Sequence, residues 1–149
     1  MGNILQSAYL RTKAVEYLWT FLHIPYFWGG DDPMAGFDCS GLVIRILQAV
    51  GRLSRGFDTT ADGLWKKYSR HEVQKGYAGC LVFWFVGDRA VHVEMMIDDL
   101  HVIGASGGGS EITSLEKAIL RNAFVQMNPV GYRKQAYRIV DPFKEPDDE

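Results

Sequence analysis

The sequence places a cysteine where its thiol can act as a nucleophile. Residues 26–42 read YFWGGDDPMAGFDCSGL, so a glycine-rich loop ends in Asp38, Cys39 and Ser40 at the point where an apolar helix begins. Backbone N–H groups and the helix dipole favour negative charge in the first helical turn, which lowers the pKa of a thiol placed there. We therefore predict that Cys39 is a reactive thiolate.

A cysteine nucleophile needs a general base that takes its proton and returns it to the leaving group. The best candidate is His92, which lies early on a predicted strand of the core, where a packed backbone can hold its ring near the helix. Outside such a context, cysteine is among the most buried residue types and is usually structural. We assign that structural role to the second cysteine, Cys80, which enters a buried strand.

The elements that must position these residues are predicted as helices first and strands afterwards. Apolar residues recur at helical spacing early in the chain, whereas aromatic and β-branched runs bounded by turn residues follow. Capping-box patterns at Thr59 and Thr113 begin two of the helices. This order predicts an α+β fold in which N-terminal helices pack on a central antiparallel sheet. The predicted helices are 4–23, 39–50, 59–68 and 113–124, and the predicted strands are 81–86, 91–97, 101–105 and 136–140, with 91–105 forming a β-hairpin.

Length and composition are those of an ordinary globular domain. A chain of 149 residues buries about 70% of the surface that its unfolded form exposes, so it needs no disulfide or metal to fold. We predict one domain over residues 1–141 and an acidic, frayed tail over 142–149. The net charge of −2 lacks the basic excess that nucleic-acid binding requires. The two cysteines and four histidines show no metal-ligand spacing, so we predict neither a metal nor another cofactor.

The N-terminal sequence MGNILQSAYLRTKAVEYLWTFLHIP has neither the basic start and apolar core of a secretory signal nor an uninterrupted spanning segment. We therefore expect no integral membrane segment and synthesis in the cytoplasm. The sequence gives no indication of oligomeric state.

The blocks YFWGG (26–30) and FDCSGL (37–42), followed by the LVFWF strand and a His-Val pair that opens the hairpin, resemble the NlpC/p60 family. These are papain-like cysteine peptidases that act on bacterial cell walls, and the resemblance covers residues 24–106. It implies a papain-like fold with the nucleophile at a helix N-terminus. It also implies cleavage of peptide bonds in peptidoglycan stem peptides, commonly between D-glutamate, through its γ-carboxyl, and a diamino acid.

The resemblance also implies a role for individual residues. Cys39 matches the nucleophile, His92 the general base, and Tyr26 a tyrosine whose hydroxyl helps the backbone N–H at Cys39 to hold the oxyanion. Asp38 and Ser40 match positions that bind the free amino end of the stem peptide in some members, and a carboxylate is a natural acceptor for an ammonium group. In addition, we place Trp28 in the wall of the substrate groove.

The hairpin departs from the family pattern at the residue that should orient the base. An ungapped alignment puts Gly104 where the family usually has a histidine, and glycine has no side chain to orient His92. His101 and Ser106 are the possible third site residues, although strand alternation turns His101 to the other face while Ser106 shares the parity of Gly104. Glu94 stands where a glycine is common and has the parity of His92, so it can raise the pKa of that histidine or narrow the groove.

These departures leave more than one function open. The first is an active cysteine endopeptidase. The alternative is a catalytically weakened or inactive cleft-containing module that binds cell-wall peptides, for example in a phage tail or another delivery device, and a third is an acyltransferase on the same fold. Because peptidoglycan lies outside the membrane, three alternatives follow: delivery to the wall by phage lysis or a dedicated device, action on wall fragments in the cytoplasm, or a different substrate.

Overall fold

Four α-helices and eight strands are formed by residues 2–32 and 36–144, which are the residues that this computed structural model describes. The helices are α1 (Gly2–Trp19), α2 (Cys39–Ala49), α3 (Ala61–Tyr68), which continues into a 3-10 turn at Ser69–His71, and α4 (Leu115–Arg121). The strands are β1 (Asp31–Asp32), β2 (Gly36–Phe37), β3 (Glu72–Val73), β4 (Leu81–Val86), β5 (Arg89–Met96), β6 (His101–Ser106), β7 (Phe124–Pro129) and β8 (Tyr137–Val140).

Six of the strands form one antiparallel sheet in the order β3-β8-β4-β5-β6-β7, and β1 pairs with β2 in a small separate ribbon. In the β5–β6 hairpin, Met95 pairs with Ile103 and Met96 with Val102. Helix α2 lies against β5 and β6, and α3 lies against β5. The predicted α+β class, with helices on a central antiparallel sheet, is confirmed.

Helix α2 forms where the sequence predicts it. Its apolar residues recur at helical spacing and are buried, namely Leu42, Val43, Ile44, Ile46 and Leu47. Asp38 caps its first turn, because a carboxylate oxygen accepts the backbone N–H of Gly41 at 2.7 Å. The helix ends at Ala49, and Gly51 follows with a φ of 79°, a left-handed conformation that glycine adopts at low cost.

Two other helices begin one residue later than the capping-box patterns predict. Thr60, and not Thr59, caps α3 by accepting the N–H of Gly63 at 3.1 Å. Ser114, and not Thr113, caps α4. Because threonine and serine side chains offer the same kind of acceptor, adjacent candidates cannot be separated by residue type alone.

The chain after α4 differs from the prediction. The helix ends at Arg121, since Asn122 adopts a left-handed conformation with a φ of 51°. Phe124 therefore belongs to β7, a strand that the sequence analysis missed, and β7 forms the edge of the sheet beside β6. The first helix is also shorter than predicted: it ends at Trp19, and turns continue from there to His23.

The packed chain extends past residue 142, where the tail was predicted to begin. Phe143 is fully buried in the core. Its carbonyl oxygen accepts the Ser7 hydroxyl at 3.0 Å, and the Arg11 guanidinium lies 5.3 Å from its ring centroid. The remainder of the predicted tail, residues 145–149, lies outside the described residues. No helix in the described ranges has both the length and the apolar character needed to cross a membrane.

Candidate active site

The glycine-rich loop and the start of α2 are joined through Asp38. One carboxylate oxygen, Oδ1, accepts the N–H of Gly41 at 2.7 Å, and the other, Oδ2, accepts the N–H of Gly29 at 3.0 Å. The loop also approaches the helix closely, because a Cβ at Gly41 would lie 2.0 Å from the carbonyl oxygen of Gly30. These contacts fix Cys39, which is partly buried, as the first residue of α2.

His92 lies on β5 and lines the same cleft as Cys39, close enough for the two side chains to interact electrostatically. Only 7% of its side chain is exposed. Burial by itself lowers the pKa of His92, but the negative charge of Cys39, the hydrogen bond to Cys39 and the carboxylate of Glu94 outweigh burial and raise that pKa to about 9. A raised pKa favours the protonated ring, which can act as a proton donor beside the sulfur.

Glu94 contacts the other side of the His92 ring. Its side chain is fully buried, and its Oε2 lies 2.7 Å from Nε2 of His92. The hydroxyl of Tyr132 donates to the same oxygen. The sequence signal for Glu94 was its strand parity with His92, whereas no signal pointed to Tyr132, which lies 38 residues further along the chain. Tyr132 is thus the site residue that sequence reasoning missed.

Gly104 lies beneath Glu94 in the hairpin. A Cβ added at Gly104 would lie 2.2 Å from Cγ, 2.7 Å from Cδ and 2.8 Å from Cβ of Glu94. Real side chains do not approach so closely, so any residue with a side chain at position 104 requires Glu94 to move. The Glu94 side chain therefore occupies the space that a side chain at position 104 would fill.

The two residues predicted as possible third members of the site lie in different places. His101 is at the turn end of β6, where its Nδ1 lies 3.1 Å from both carboxylate oxygens of Asp98, and the structure does not bring it to His92. Strand position explains this, because its carbonyl oxygen accepts the N–H of Ile97, at the far end of the hairpin from His92. Ser106 is buried, and its Oγ lies 3.0 Å from the Tyr132 hydroxyl.

Tyr26 lies beside Cys39 at the start of the loop. Only 4% of the residue is exposed, and its backbone N–H donates to the carbonyl oxygen of Ala123 at 3.0 Å. Burial raises the pKa of the phenol, and the negative charges of Cys39 and Asp38 raise it further. The hydroxyl consequently stays protonated, so it can donate a hydrogen bond to a negative oxygen formed next to the sulfur.

An open cleft of about 550 Å³ contains Cys39, His92 and Tyr26. Ser40 and Trp28, which were predicted to bind substrate, also line it, and 52% of Trp28 is exposed. Asp38 reaches the cleft as well, and burial raises the pKa of its carboxyl despite hydrogen bonds that act in the opposite direction. Among the described residues, the aspartates and arginines of the lining are Asp31, Asp38, Asp58, Arg89 and Arg133.

The second cysteine has a different environment. Cys80 has no exposed surface and packs with residues such as Val82 and Trp84 in a second, smaller apolar cluster. Burial raises the pKa of its thiol to about 11. It is not among the residues that line the cleft. Within the described ranges, no group of three histidine, cysteine or acidic side chains is arranged to hold a metal ion.

Curated relatives resemble this chain over the part that carries the site. Protein P54 of Enterococcus faecium is 32% identical over 109 residues, and the bifunctional muramidase/DL-endopeptidase CwlT of Bacillus subtilis is 29% identical over 109 residues. The matched part covers 72% and 71% of this chain, respectively. It spans only 20% of protein P54 and 32% of CwlT, so both relatives are much longer.

Solved structures share the fold at low sequence identity. The peptidoglycan hydrolase RipB of Mycobacterium tuberculosis superimposes with a TM-score of 0.72 at 20% identity, covering 95% of this chain and 68% of RipB. The P60 domain of the antigen MAP1204 from M. avium subspecies paratuberculosis gives a TM-score of 0.70 at 20% identity, covering 93% and 98%. The sequence model of the NlpC/P60 family matches residues 23–128, which hold Tyr26, Cys39 and His92. This chain belongs to the NlpC/P60 family.

Proposed function

We propose that this chain is a cysteine peptidase that hydrolyses peptide bonds in peptidoglycan stem peptides, with the bond between the γ-carboxyl of D-glutamate and a diamino acid as its target. The observation that carries the proposal is that Cys39, at a helix N-terminus, and His92 line one open cleft, with the pKa of His92 raised by its neighbours. Names within the family support the substrate class, since CwlT is a DL-endopeptidase and RipB a peptidoglycan hydrolase.

In the first half of the reaction, the Cys39 sulfur attacks the carbonyl carbon of the scissile bond. A C–S bond forms, and the carbonyl electron pair moves to oxygen, where the Tyr26 hydroxyl and the backbone N–H of Cys39 stabilise it. The tetrahedral intermediate then collapses, the C–N bond breaks, and the leaving amine takes the proton of His92. The products of this half are a free amine and a thioester on Cys39.

In the second half, His92 is neutral and accepts a proton from water. The resulting hydroxide adds to the thioester carbon, and the same two donors stabilise the second oxyanion. Breakage of the C–S bond releases the new carboxylic acid, which loses its proton to solvent, and restores the Cys39 thiolate beside a protonated His92. Each proton that His92 donates in the first half is thus recovered from water in the second.

We propose that Asp38 and Ser40 bind the amino end of the stem peptide, with Trp28 forming a wall of the groove. Oδ1 of Asp38 accepts both the N–H of Gly41 and the Ser40 hydroxyl, whereas Oδ2 accepts the N–H of Gly29 and has a further lone pair for an ammonium group. A peptide with an amine and carboxylates also suits a cleft that contains both aspartates and arginines. Such a substrate implies action at the cell wall or on fragments released from it.

The alternative of an inactive binding module was based on the absence of a side chain at Gly104. Glu94 contacts the Nε2 atom of His92 that such a side chain was expected to orient. This contact removes the reason for assuming a loss of activity, so the endopeptidase is the function that the geometry supports best.

Replacement of Cys39 by alanine tests the proposal. Wild type, Cys39→Ala and the matched control Cys80→Ala are incubated with purified peptidoglycan, and released fragments are identified by mass spectrometry. We expect Cys39→Ala to lose at least about 1,000-fold in rate, because it lacks the nucleophile. Cys80→Ala should retain activity, since Cys80 lies outside the cleft. Unchanged turnover by Cys39→Ala would refute the mechanism, and fragments cut at another bond would refute the proposed specificity.

A further inference from the structure

We propose that Glu94 is the residue that positions His92 for catalysis, and that position 104 is glycine because the Glu94 side chain occupies the space there. The polar partner of the base is thus supplied from β5, the strand of His92 itself, and not from β6. This inference rests on the proposed function, since it assigns a role within the same site.

The direct contact is the first support. Nε2 of His92 and Oε2 of Glu94 are 2.7 Å apart, and their side chains are 7% and 0% exposed, so water does not compete for this hydrogen bond. Because Nε2 is engaged by Glu94, Nδ1 is the ring nitrogen that remains for the Cys39 thiol. A carboxylate on one side of the ring therefore fixes both its orientation and which nitrogen faces the nucleophile.

The packing of the hairpin is the second support. Gly104 packs closely against Glu94, and a Cβ added to Gly104 would lie 2.2 Å from Cγ of the glutamate. The present position of the Glu94 side chain consequently requires glycine at position 104.

The third support is the cluster that holds the Glu94 carboxylate. The Tyr132 hydroxyl donates to its Oε2, and Ser106 lies 3.0 Å from that hydroxyl, in position to donate to the phenol oxygen. The indole of Trp84 packs against both the His92 ring, at 5.4 Å between centroids, and the Tyr132 ring, at 5.8 Å. A carboxylate held by a hydroxyl and an aromatic wall has little freedom to rotate away from the base.

The charges around His92 set the expected pH dependence. Cys39 from α2 and Glu94 on β5 itself face the ring, while Trp84 from β4 adds no charge. Ser106 on β6 is also uncharged. The acid of α3, Asp62, accepts the backbone N–H of Ala90. Arg133 lies over Trp84 at 5.8 Å from its ring centroid. Since Glu94 raises the pKa of His92, removing its charge should lower that pKa.

The test combines kinetics with NMR spectroscopy on the full chain. The variants are Glu94→Gln, which keeps a similar shape without the charge, Glu94→Ala, Gly104→Ala and the double variant Glu94→Ala/Gly104→Ala. Glu116→Gln is the control, because it removes an exposed carboxylate on α4. We measure kcat and KM on peptidoglycan fragments as a function of pH, and follow the ring nitrogens of His92 by ¹⁵N NMR, which requires no turnover.

We expect Glu94→Gln to lower kcat by about 100-fold with KM changed less than about two-fold, since loss of the charge that favours the protonated His92 ring slows chemistry without weakening binding. The alkaline limb of its kcat/KM profile and the His92 titration should both move to lower pH. Gly104→Ala should lower kcat at least about ten-fold, yet add less than about two-fold in the Glu94→Ala background, because coupled residues are not additive. Glu116→Gln should match wild type.

The inference is overturned if Glu94→Gln retains the wild-type kcat and His92 titration, or if Gly104→Ala has the same effect with and without Glu94. Either result leaves the Cys39→Ala test of the proposed function unaffected. Conversely, an active Cys39→Ala variant would refute the proposed function even if the NMR titration behaves as expected. If Glu94→Ala does not fold, Glu94→Gln and Gly104→Ala still decide the question.

Discussion

Replacing Asp38 by alanine separates its structural role from its proposed role in substrate binding. The variant loses the hydrogen bond from Gly41, which caps α2, and the one from Gly29, which ties the loop to the helix. An N-cap contributes about 1 kcal/mol. The exposed hydrogen bond from the Gly29 N–H to the charged carboxylate contributes about 1 kcal/mol as well. We therefore expect Asp38→Ala to lower the free energy of unfolding by about 2 kcal/mol.

The assay is equilibrium unfolding in urea together with thermal unfolding, both followed by circular dichroism. For a chain of this size, about 2 kcal/mol corresponds to a decrease in Tm of roughly 4–8 °C. Asp38→Asn is the graded variant: its single carbonyl oxygen can replace one acceptor and not both, so about half of the loss is expected. Asp31→Asn is the control, since it removes an exposed acid from the same loop.

A Tm for Asp38→Ala within about 1 °C of the wild-type value would refute this reasoning, since the loss of both hydrogen bonds would then be energetically silent. If KM for peptidoglycan fragments rose at the same time, Asp38 would act through substrate contact alone. An equal decrease in Tm for Asp31→Asn would mean that the loop responds to net charge and not to these two bonds.

Two further predictions concern other parts of the molecule. Arg11→Ala breaks the 2.8 Å ion pair with Asp141, whose side chain is 4% exposed, and should lower the free energy of unfolding by about 3 kcal/mol. The control in the same urea assay is Lys13→Ala at an exposed position, which should differ from wild type by less than about 0.5 kcal/mol. Equal unfolding midpoints for both variants would contradict the prediction. In Cys39→Ala, the pKa of His92 measured by ¹⁵N NMR should fall below about 9, because Cys39 no longer favours the protonated ring. A pKa at or above the wild-type value would contradict this prediction.

The elements that the sequence predicted well are those whose signal lies in their own residues. Helix α2 follows from apolar residues at helical spacing behind a good cap. Strand β4 follows from a short aromatic run between Gly79 and Gly87, which have positive φ values of 94° and 63° and end the run on both sides. In such segments local preference and tertiary packing agree, so the pattern is sufficient.

Strand β7 could not be predicted in the same way. Only Val125 among its six residues is buried, and the strand ends at Pro129, a residue that argues against a strand interior. What makes it a strand is its pairing with β6, and what separates it from α4 is the left-handed conformation of Asn122. Both causes depend on the assembled fold, so the sequence pattern predicted a helix to residue 124, three residues beyond the end of α4.

The residues of the candidate site show the same difference between signals in the local sequence and signals that depend on the assembled fold. Cys39 and His92 were predicted from a motif, because the chemistry of a nucleophile and base restricts the residue types around them. The role of Glu94 required the strand register, which shows that its side chain fills the space at Gly104. Tyr132 required the path of a distant loop. Read along the chain, Gly104 looks like a loss, whereas in three dimensions it makes room for a carboxylate.

The deep burial of Cys80 gives this protein a practical advantage. Of the two cysteines in the sequence, it is the one without exposed surface, and at neutral pH its thiol is uncharged because its pKa is about 11. A thiol reagent added to the folded protein will therefore modify Cys39 first, while both cysteines react once the chain unfolds. Counting the modified thiols by mass thus reports the fraction of intact active sites in a preparation, independently of any substrate.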